Sequence, residues 1–209
     1  MIVRSAVFLV YALLLTIPAL AAPLELSASY TRVEIDGNAM APALRSDFDL
    51  GFDENAGFSA AVAAFLGQRF SSELAVSVID PDAQFTAFDT PRSLGRIQIM
   101  PVQLSLRYHP WSGRRIEPYV GAGGAWVDFD LKDELINEAD GVNDLALSSD
   151  WTWLAQAGAR IAAGERLFAK FDVRYMPIES EFTAVDRLHA PIEFDPLFIS
   201  IGLGWRLGR

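Results

Sequence analysis

Charged side chains recur at every second residue in several segments of this sequence. In the segment 167–177, Lys170, Asp172 and Arg174 fall on one face of a β-strand, and apolar residues fall on the other. Each Arg or Lys facing the middle of a bilayer would cost about 2 to 4 kcal/mol, so we expect these faces to point away from lipid. Opposite charges in a narrow interior form ion pairs and hydrogen bonds. The predicted charged floor consists of Glu73, Arg107, Arg160, Lys170, Asp172, Arg174 and Arg206.

The same faces become apolar toward the opposite ends of their segments. The residues concerned are Ile97, Ile99, Leu154, Met176, Ile178 and Phe198. Either Trp126 or Val127 joins them, because the segment 119–129 is too rich in Gly and Ala for its faces to be assigned. An apolar pocket above a charged floor suits a small hydrophobic molecule better than an ion or a sugar. Ordinary filling of the interior, without any ligand, is the alternative.

Catalysis is not predicted, and we expect neither catalytic residues nor a cofactor. Small membrane barrels that deacylate lipids need a Ser and a His facing outward near the membrane surface. The chain has two histidines, and neither is followed by a Ser at the spacing of those enzymes. His109 precedes Pro110 and is interpreted as a turn residue, whereas His189 is interpreted as a solvated loop residue.

Clustered acidic residues raise the question of a metal site. Asp47, Asp49, Asp53 and Glu54 offer the oxygen ligands that Ca²⁺ and Mg²⁺ accept. The spacing of an EF-hand loop is absent from the sequence. We therefore predict no metal site, and interpret these residues as solvated loops that face lipopolysaccharide.

Segments of alternating hydrophobicity must position these residues. Eight are found, roughly at 24–35, 56–67, 71–80, 96–109, 116–129, 151–163, 167–179 and 194–207. Short connections alternate with long, acidic ones over 36–55, 81–95, 130–150 and 180–193, which is typical of outer-membrane barrels. The first segment changes parity between Tyr30 and Val33, which predicts a β-bulge or an early strand end.

The predicted fold is all-β, an eight-stranded antiparallel up-and-down transmembrane β-barrel. Eight strands leave an interior that side chains fill, which excludes a wide diffusion pore. A soluble lipocalin-like barrel would have the opposite parity, with its apolar residues inside. Outward aromatic residues near the strand ends fit the belts at membrane interfaces; they are Tyr108, Trp151, Trp153 and Trp205.

The amino end has the features of a secretory signal peptide. An arginine precedes an apolar run over 6–15, and Ala19-Leu20-Ala21 forms a cleavage site. We assign residues 1–21 to this cleaved signal peptide and residues 22–209 to the barrel. A membrane-anchoring helix would need about 20 apolar residues, more than this run supplies. The mature chain then has 16 basic and 27 acidic residues, a formal charge of −11, so nucleic acid is not an expected partner.

Several blocks of sequence resemble the OmpW family of outer-membrane proteins. They are Met100 to His109, Pro118 to Gly123, Gln156 to Gly158, Asp195-Pro196 and Ile201 to Arg206. The resemblance implies an eight-stranded barrel with a hydrophobic interior that serves uptake or efflux of small hydrophobic compounds, through the barrel wall into the membrane. It implies no catalytic centre. The chain ends Leu207-Gly208-Arg209 instead of on an aromatic residue, so either Trp205 replaces that assembly signal or the signal is weak.

These inferences place the protein in the outer membrane, with both termini in the periplasm and the long loops outside the cell. The expected partners are outer-membrane lipids, lipopolysaccharide, small hydrophobic molecules and the barrel-assembly machinery. A barrel that serves structure or surface adhesion without transport is the alternative function, and a lipid-modifying enzyme is a weaker one.

Overall fold

A computed structural model describes residues 23–36, 48–53, 56–80, 82–87, 90–131, 145–147, 149–184 and 188–208. The proposed signal peptide, residues 1–21, lies outside these ranges. Among the residues described, none forms a helix of the length and hydrophobicity needed to cross a membrane.

Twelve strands occur in the described ranges, and most of them continue an alternating apolar pattern. In chain order they are β1 (Leu24–Asp36), β2 (Phe48–Asp53), β3 (Ala56–Leu66), β4 (Phe70–Ile79), β5 (Asp82–Ala87), β6 (Thr90–Tyr108), β7 (Ile116–Leu131), β8 (Leu145–Leu147), β9 (Asp150–Ala162), β10 (Leu167–Tyr175), β11 (Ile178–Ala184) and β12 (Leu188–Leu207).

Eight of these strands form a closed barrel. Antiparallel pairing runs in the order β1-β3-β4-β6-β7-β9-β10-β12, and β12 pairs back onto β1 from Leu24↔Leu207 to Asp36↔Asp195. Closure leaves no unpaired edge, so the backbone hydrogen bonds are made within the wall, as hydrocarbon requires. The predicted fold, an all-β eight-stranded antiparallel barrel, is confirmed.

The other four strands lie wholly or mostly in the segments predicted as long loops; β11 begins at Ile178, in the strand predicted at 167–179. β2 pairs with β5, and β5 pairs with the first part of β6. β11 pairs with the first part of β12 and with β8. The loop prediction is wrong for these stretches, because antiparallel backbone pairing continues past the barrel without needing apolar alternation. His189 accordingly lies in β12 rather than in a loop.

The two ends of the barrel differ. At the short-connection end, residues 67–69, 109–115 and 163–166 join neighbouring strands, and the paired residues Leu24 and Leu207 lie there as well. Gly67 and Gly113 have φ angles of 78° and 80°, a left-handed conformation that favours glycine in such tight turns. The opposite end, where strands β2, β5, β8 and β11 lie, is called the long-connection end.

The strand faces follow the predicted parity. The inner face of β10 is buried and its outer face carries Leu167 and Phe171, both exposed. β7, which the sequence left open, turns Val127 inward and buries it. The predicted bulge in β1 is wrong, because pairing with β12 is unbroken and Thr31 and Val33 both point inward. Two charged residues, Arg32 and Glu34, then take the outer face beyond the apolar part of the strand.

The outer wall is apolar and ends in aromatic residues. Leu104, Leu106, Val120, Ile201 and Leu203 are all exposed on it. The four aromatic side chains predicted to face outward are exposed as well; these are Tyr108, Trp151, Trp153 and Trp205. An apolar band between aromatic belts matches the hydrocarbon layer and its two interfaces.

Candidate functional site

The interior nearest the long-connection end is apolar. A buried cluster there consists of Val33, Ile79, Ala125, Leu154, Met176 and Phe198. Ile99, Val127 and Ile178 are buried on the same inner faces, and these nine residues are called the apolar layer. Ala125 and Met176 have no exposed surface, so the side chains of the layer fill one another's space.

The structure places five of the six predicted pocket residues in this layer. Ile97, the sixth, falls outside the residues whose side chains are described. The sequence reasoning missed Val33, Ile79 and Ala125. Their positions could have been found from the alternation of strand faces, because residues two apart lie on the same face. Val33 lies two residues after Thr31, and Ile79 lies two residues after Ser77.

The interior nearest the short-connection end is ionic, and Glu73 lies at its centre. The Glu73 carboxylate accepts hydrogen bonds from Arg107 Nη1 at 2.6 Å, Lys170 Nζ at 2.7 Å and Arg174 Nη2 at 2.9 Å. All four side chains are buried. One carboxylate therefore joins cations from two strands, β6 and β10.

A second carboxylate extends this network. Asp172 accepts a hydrogen bond from the Tyr119 hydroxyl at 2.7 Å and forms an ion pair with Arg174. Arg174 also donates to the Gln103 side-chain oxygen. The Arg107 guanidinium lies 5.0 Å from the centre of the Tyr119 ring, a cation–π contact.

Arg160 and Arg206 form a separate group closer to the strand ends. Arg160 forms ion pairs with both Glu25 and Glu117. Its guanidinium carbon lies 4.8 Å from the centre of the Phe65 ring. Arg206 donates to Glu25 at 3.1 Å. The sequence reasoning missed Glu25 and Glu117. Glu25 occupies an inward position of β1, and Glu117 lies at the start of the strand whose faces were not assigned.

Among the side chains that the structure describes, the buried charges balance. Glu25, Glu73, Glu117 and Asp172 face Arg107, Arg160, Lys170 and Arg174, and these eight residues are called the ionic layer. Burial of an unpaired charge costs several kcal/mol, on the order of 3 to 5 when one partner of a buried pair is removed. A neutral, hydrogen-bonded network avoids that penalty, and its eight side chains are almost fully enclosed at this level of the barrel.

A row of hydroxyl groups separates the two layers on one wall. Thr31 Oγ1 lies 2.8 Å from Ser200 Oγ and 2.7 Å from Ser59 Oγ, and Ser59 Oγ lies 2.7 Å from Ser77 Oγ. The row crosses β12, β1, β3 and β4. The next inward residues on the side of the long-connection end are apolar, so the change from hydroxyl groups to apolar residues takes place within one inward position.

His109 is a buried side chain rather than only a turn residue. It has no exposed surface, its Nε2 lies 2.8 Å from Ser71 Oγ, and its ring contacts those of Phe65 and Tyr119. Burial, together with the nearby cations Arg107 and Arg160, lowers the pKa of His109 from 6.5 to about 3. Ser71 is equally buried, so this Ser–His pair has no open path for a substrate.

The wall has two interruptions, and both lie beside the apolar layer. β4 and β6 pair up to Val76↔Val102 and again at Ile79↔Ile99, leaving Pro101 in the unpaired stretch. β9 and β10 pair up to Tyr175↔Ala155, and Pro177 follows before β11 begins. Proline lacks the N–H group that a ladder needs. At the second interruption, the Thr152 hydroxyl donates to the Pro177 carbonyl oxygen.

Three or more His, Cys, Asp or Glu residues in a metal-binding arrangement do not occur in the part of the chain that is described. Asp47 and Glu54 lie outside it. Asp49 and Asp53 lie in β2, and their side chains are not described.

Comparisons with known proteins give one consistent result. The OmpW family model matches residues 15–207. Outer membrane protein AlkL from Ectopseudomonas oleovorans is 29% identical over 180 residues, which cover 83% of this chain and 73% of AlkL. The crystal structure of outer membrane protein OprG from Pseudomonas aeruginosa matches with a TM-score of 0.71 and 16% identity, over 90% of this chain and 97% of OprG. The solid-state NMR structure of AlkL in lipid bilayers matches with a TM-score of 0.66 and 22% identity, over 90% of this chain and 91% of AlkL. These structural matches share the barrel fold.

Proposed function

The chain belongs to the OmpW family of outer-membrane β-barrel proteins, and from this we propose that it admits small hydrophobic molecules into its apolar layer from the long-connection end. In this proposal the long connections face the cell exterior, and both termini of the chain face the periplasm. The division of the interior into an apolar layer and an ionic layer carries the proposal. Transfer from water into the apolar layer lowers the free energy of an apolar solute. At the ionic layer the solute meets a closed barrier of paired charges.

Entry into the apolar layer requires its side chains to move. Met176 is fully buried in the layer, and an unbranched thioether side chain adapts its shape more readily than a branched one. We propose that the solute leaves sideways, since the ionic layer blocks the axis. The interruptions at Pro101 and Pro177 support this route, because fewer backbone hydrogen bonds must break there.

A structural or adhesive barrel without transport is the second candidate. The complete burial of Ala125 and Met176 favours it, since a filled interior needs no ligand. We do not propose an enzyme. The Ser71–His109 pair is buried beside Arg107, which donates to Ser71 Oγ at 3.1 Å, and that arrangement supports a structural role for the pair.

Uptake into vesicles separates the two candidates. We expect an apolar fluorescent dye to enter vesicles that contain the barrel faster than empty vesicles, with no gain for glucose. Leu154→Trp fills the apolar layer and should abolish the gain. Ala157→Trp adds the same ring to the outer face of the same strand and should leave the gain unchanged. A wild-type rate equal to that of empty vesicles would favour the structural barrel.

A further inference from the structure

The short-connection end carries more exposed basic than acidic residues. Its exposed basic residues are Arg69, Arg114, Arg115 and Arg166, and Glu165 is the exposed acidic residue of the described turns there. Arg206 is half-buried at the same end. The whole chain has a formal charge of −10. This end therefore presents a local excess of arginine on an acidic protein.

Four arginines meet around one small cavity at this end. The cavity measures about 20 Å³, and Arg114, Arg115, Arg160 and Arg206 line it together with Glu117 and Phe168. Arg160 pairs with Glu25 and Glu117, and Arg206 pairs with Glu25. Four guanidinium groups thus face two carboxylates, and the site has a surplus of two positive charges.

The site is held in position before any ligand arrives. Gly113 donates its N–H to Glu117 Oε1 at 2.8 Å, and its φ of 80° fixes the turn that presents Arg114 and Arg115. The Arg115 carbonyl oxygen accepts a bond from the Ala162 N–H at 2.8 Å, but neither guanidinium group of these two arginines has a hydrogen-bond partner among the described residues. Arg160 is 4% exposed, and its Nε atom likewise lacks a partner in the described part of the chain. Guanidinium donors remain available for an anion.

An apolar groove lies on the outer wall next to this cavity. It measures about 330 Å³ and is lined by Leu26, Ala28, Leu167, Leu203 and Trp205. Leu167 precedes Phe168 of the cavity, and Trp205 precedes Arg206 of the cavity. Because alternate residues of a strand face opposite sides, the groove and the cavity share one level of the wall.

We propose that this end of the barrel binds an anionic glycerophospholipid of the adjoining leaflet, with its phosphate among the arginines and an acyl chain in the groove. Guanidinium groups bind phosphate through paired hydrogen bonds. Trp205 beside the arginines provides the aromatic contact typical of the membrane interface. A free phosphate would use the cavity alone, whereas a lipid uses both parts. The proposal goes beyond passage of hydrophobic molecules and does not depend on it.

The test compares two double variants of the mature barrel in phosphatidylcholine bilayers. Arg114→Gln/Arg115→Gln removes two arginines of the site, and Arg69→Gln/Arg166→Gln removes two that do not line it. Spin-labelled phosphatidylglycerol is the probe, and its preference over spin-labelled phosphatidylcholine is measured at high salt, which screens diffuse attraction. Two lost charge-assisted contacts should lower the preference about tenfold or more. The control pair should change it by less than about twofold.

Two further arms separate the sources of the phosphate group. Arg206→Gln should also weaken the preference, and inorganic phosphate should fail to displace the labelled lipid, because it cannot occupy the groove. Equal losses in both double variants would mean that total charge alone attracts the lipid, and would overturn the proposal. Displacement by inorganic phosphate, or no preference in the wild type, would overturn it as well.

Discussion

The apolar layer and the ionic layer share one barrel interior but are stabilised differently. The apolar layer depends on contacts between side chains without directional partners, as between Leu154 and its neighbours. The ionic layer depends on specific pairs, and three cations share the single carboxylate of Glu73. An apolar solute can take over the contacts that the side chains of the apolar layer make with one another. It offers no charge or hydrogen-bond acceptor that could take the place of the Glu73 carboxylate. In the proposed function, the same fold combines a layer that admits a solute with a layer that stays closed.

Loss of the Glu73 charge should have the largest effect on this comparison. Glu73→Gln keeps the size of the side chain but leaves Arg107, Lys170 and Arg174 with unbalanced charge. We expect the free energy of unfolding to fall by about 3 to 5 kcal/mol, the usual result of removing one partner of a buried pair. Unfolding in urea measures it. Glu165→Gln, on an exposed turn, is the control and should change stability by less than about 0.5 kcal/mol.

A small loss in Glu73→Gln, comparable to that of the control, would mean that the three cations reach solvent. The ionic layer would then not close the axis, and a direct path through the barrel would be open.

A conservative change in the apolar layer should have a much smaller effect. Met176→Leu nearly conserves volume, and such exchanges usually cost less than about 1.5 kcal/mol. We expect that cost in urea unfolding, with slower dye uptake because leucine is less adaptable than methionine. A loss as large as that of Glu73→Gln would show that the apolar layer is as specifically packed as the ionic one.

The pH dependence of His109 should have no effect on stability at neutral pH and should appear only in acid. The pKa of His109 is 6.5 in the unfolded chain and about 3 in the barrel. Between pH 6.5 and pH 3 the imidazole is therefore protonated in the unfolded chain but neutral in the barrel. The stability contribution of the neutral imidazole is therefore complete above pH 6.5 and is lost as the pH falls toward 3. His109→Gln has no such proton and should lose less stability than the wild type between pH 7 and pH 4. Parallel losses would assign the acid sensitivity to the carboxylates alone.

Alternation with period 2 predicted most of the barrel, because successive side chains of a strand face opposite sides and the charged side cannot face lipid. On β10, Phe168 and three charged residues lie on one face, and lipid excludes the charges from the other. The sequence could not assign β7, since Gly and Ala fit either face, and Glu117 was missed for this reason. Its pairing with Arg160 depends on β9, which lies more than 30 residues further along the chain.

Two other features required the structure. The burial of His109 depends on its contacts with Ser71 and Phe65, which lie on neighbouring strands, and no pattern in the sequence around His109 predicts these contacts. The extra strands at the long-connection end are held by backbone pairing, so they leave little trace in side-chain hydrophobicity. Local periodicity predicts faces, whereas contacts between distant strands decide which inward groups meet.

Single cysteines test the central claim most directly, because the native sequence contains none. Leu154→Cys places a thiol in the apolar layer, and Ser105→Cys places one in the ionic layer, where Ser105 accepts a bond from Gln156 at 2.7 Å. We predict that a small apolar maleimide modifies the first rapidly and the second hardly at all in bilayer-embedded barrels. Equal rates at both positions, or no reaction at Leu154→Cys, would contradict an interior that yields at one layer and stays closed at the other.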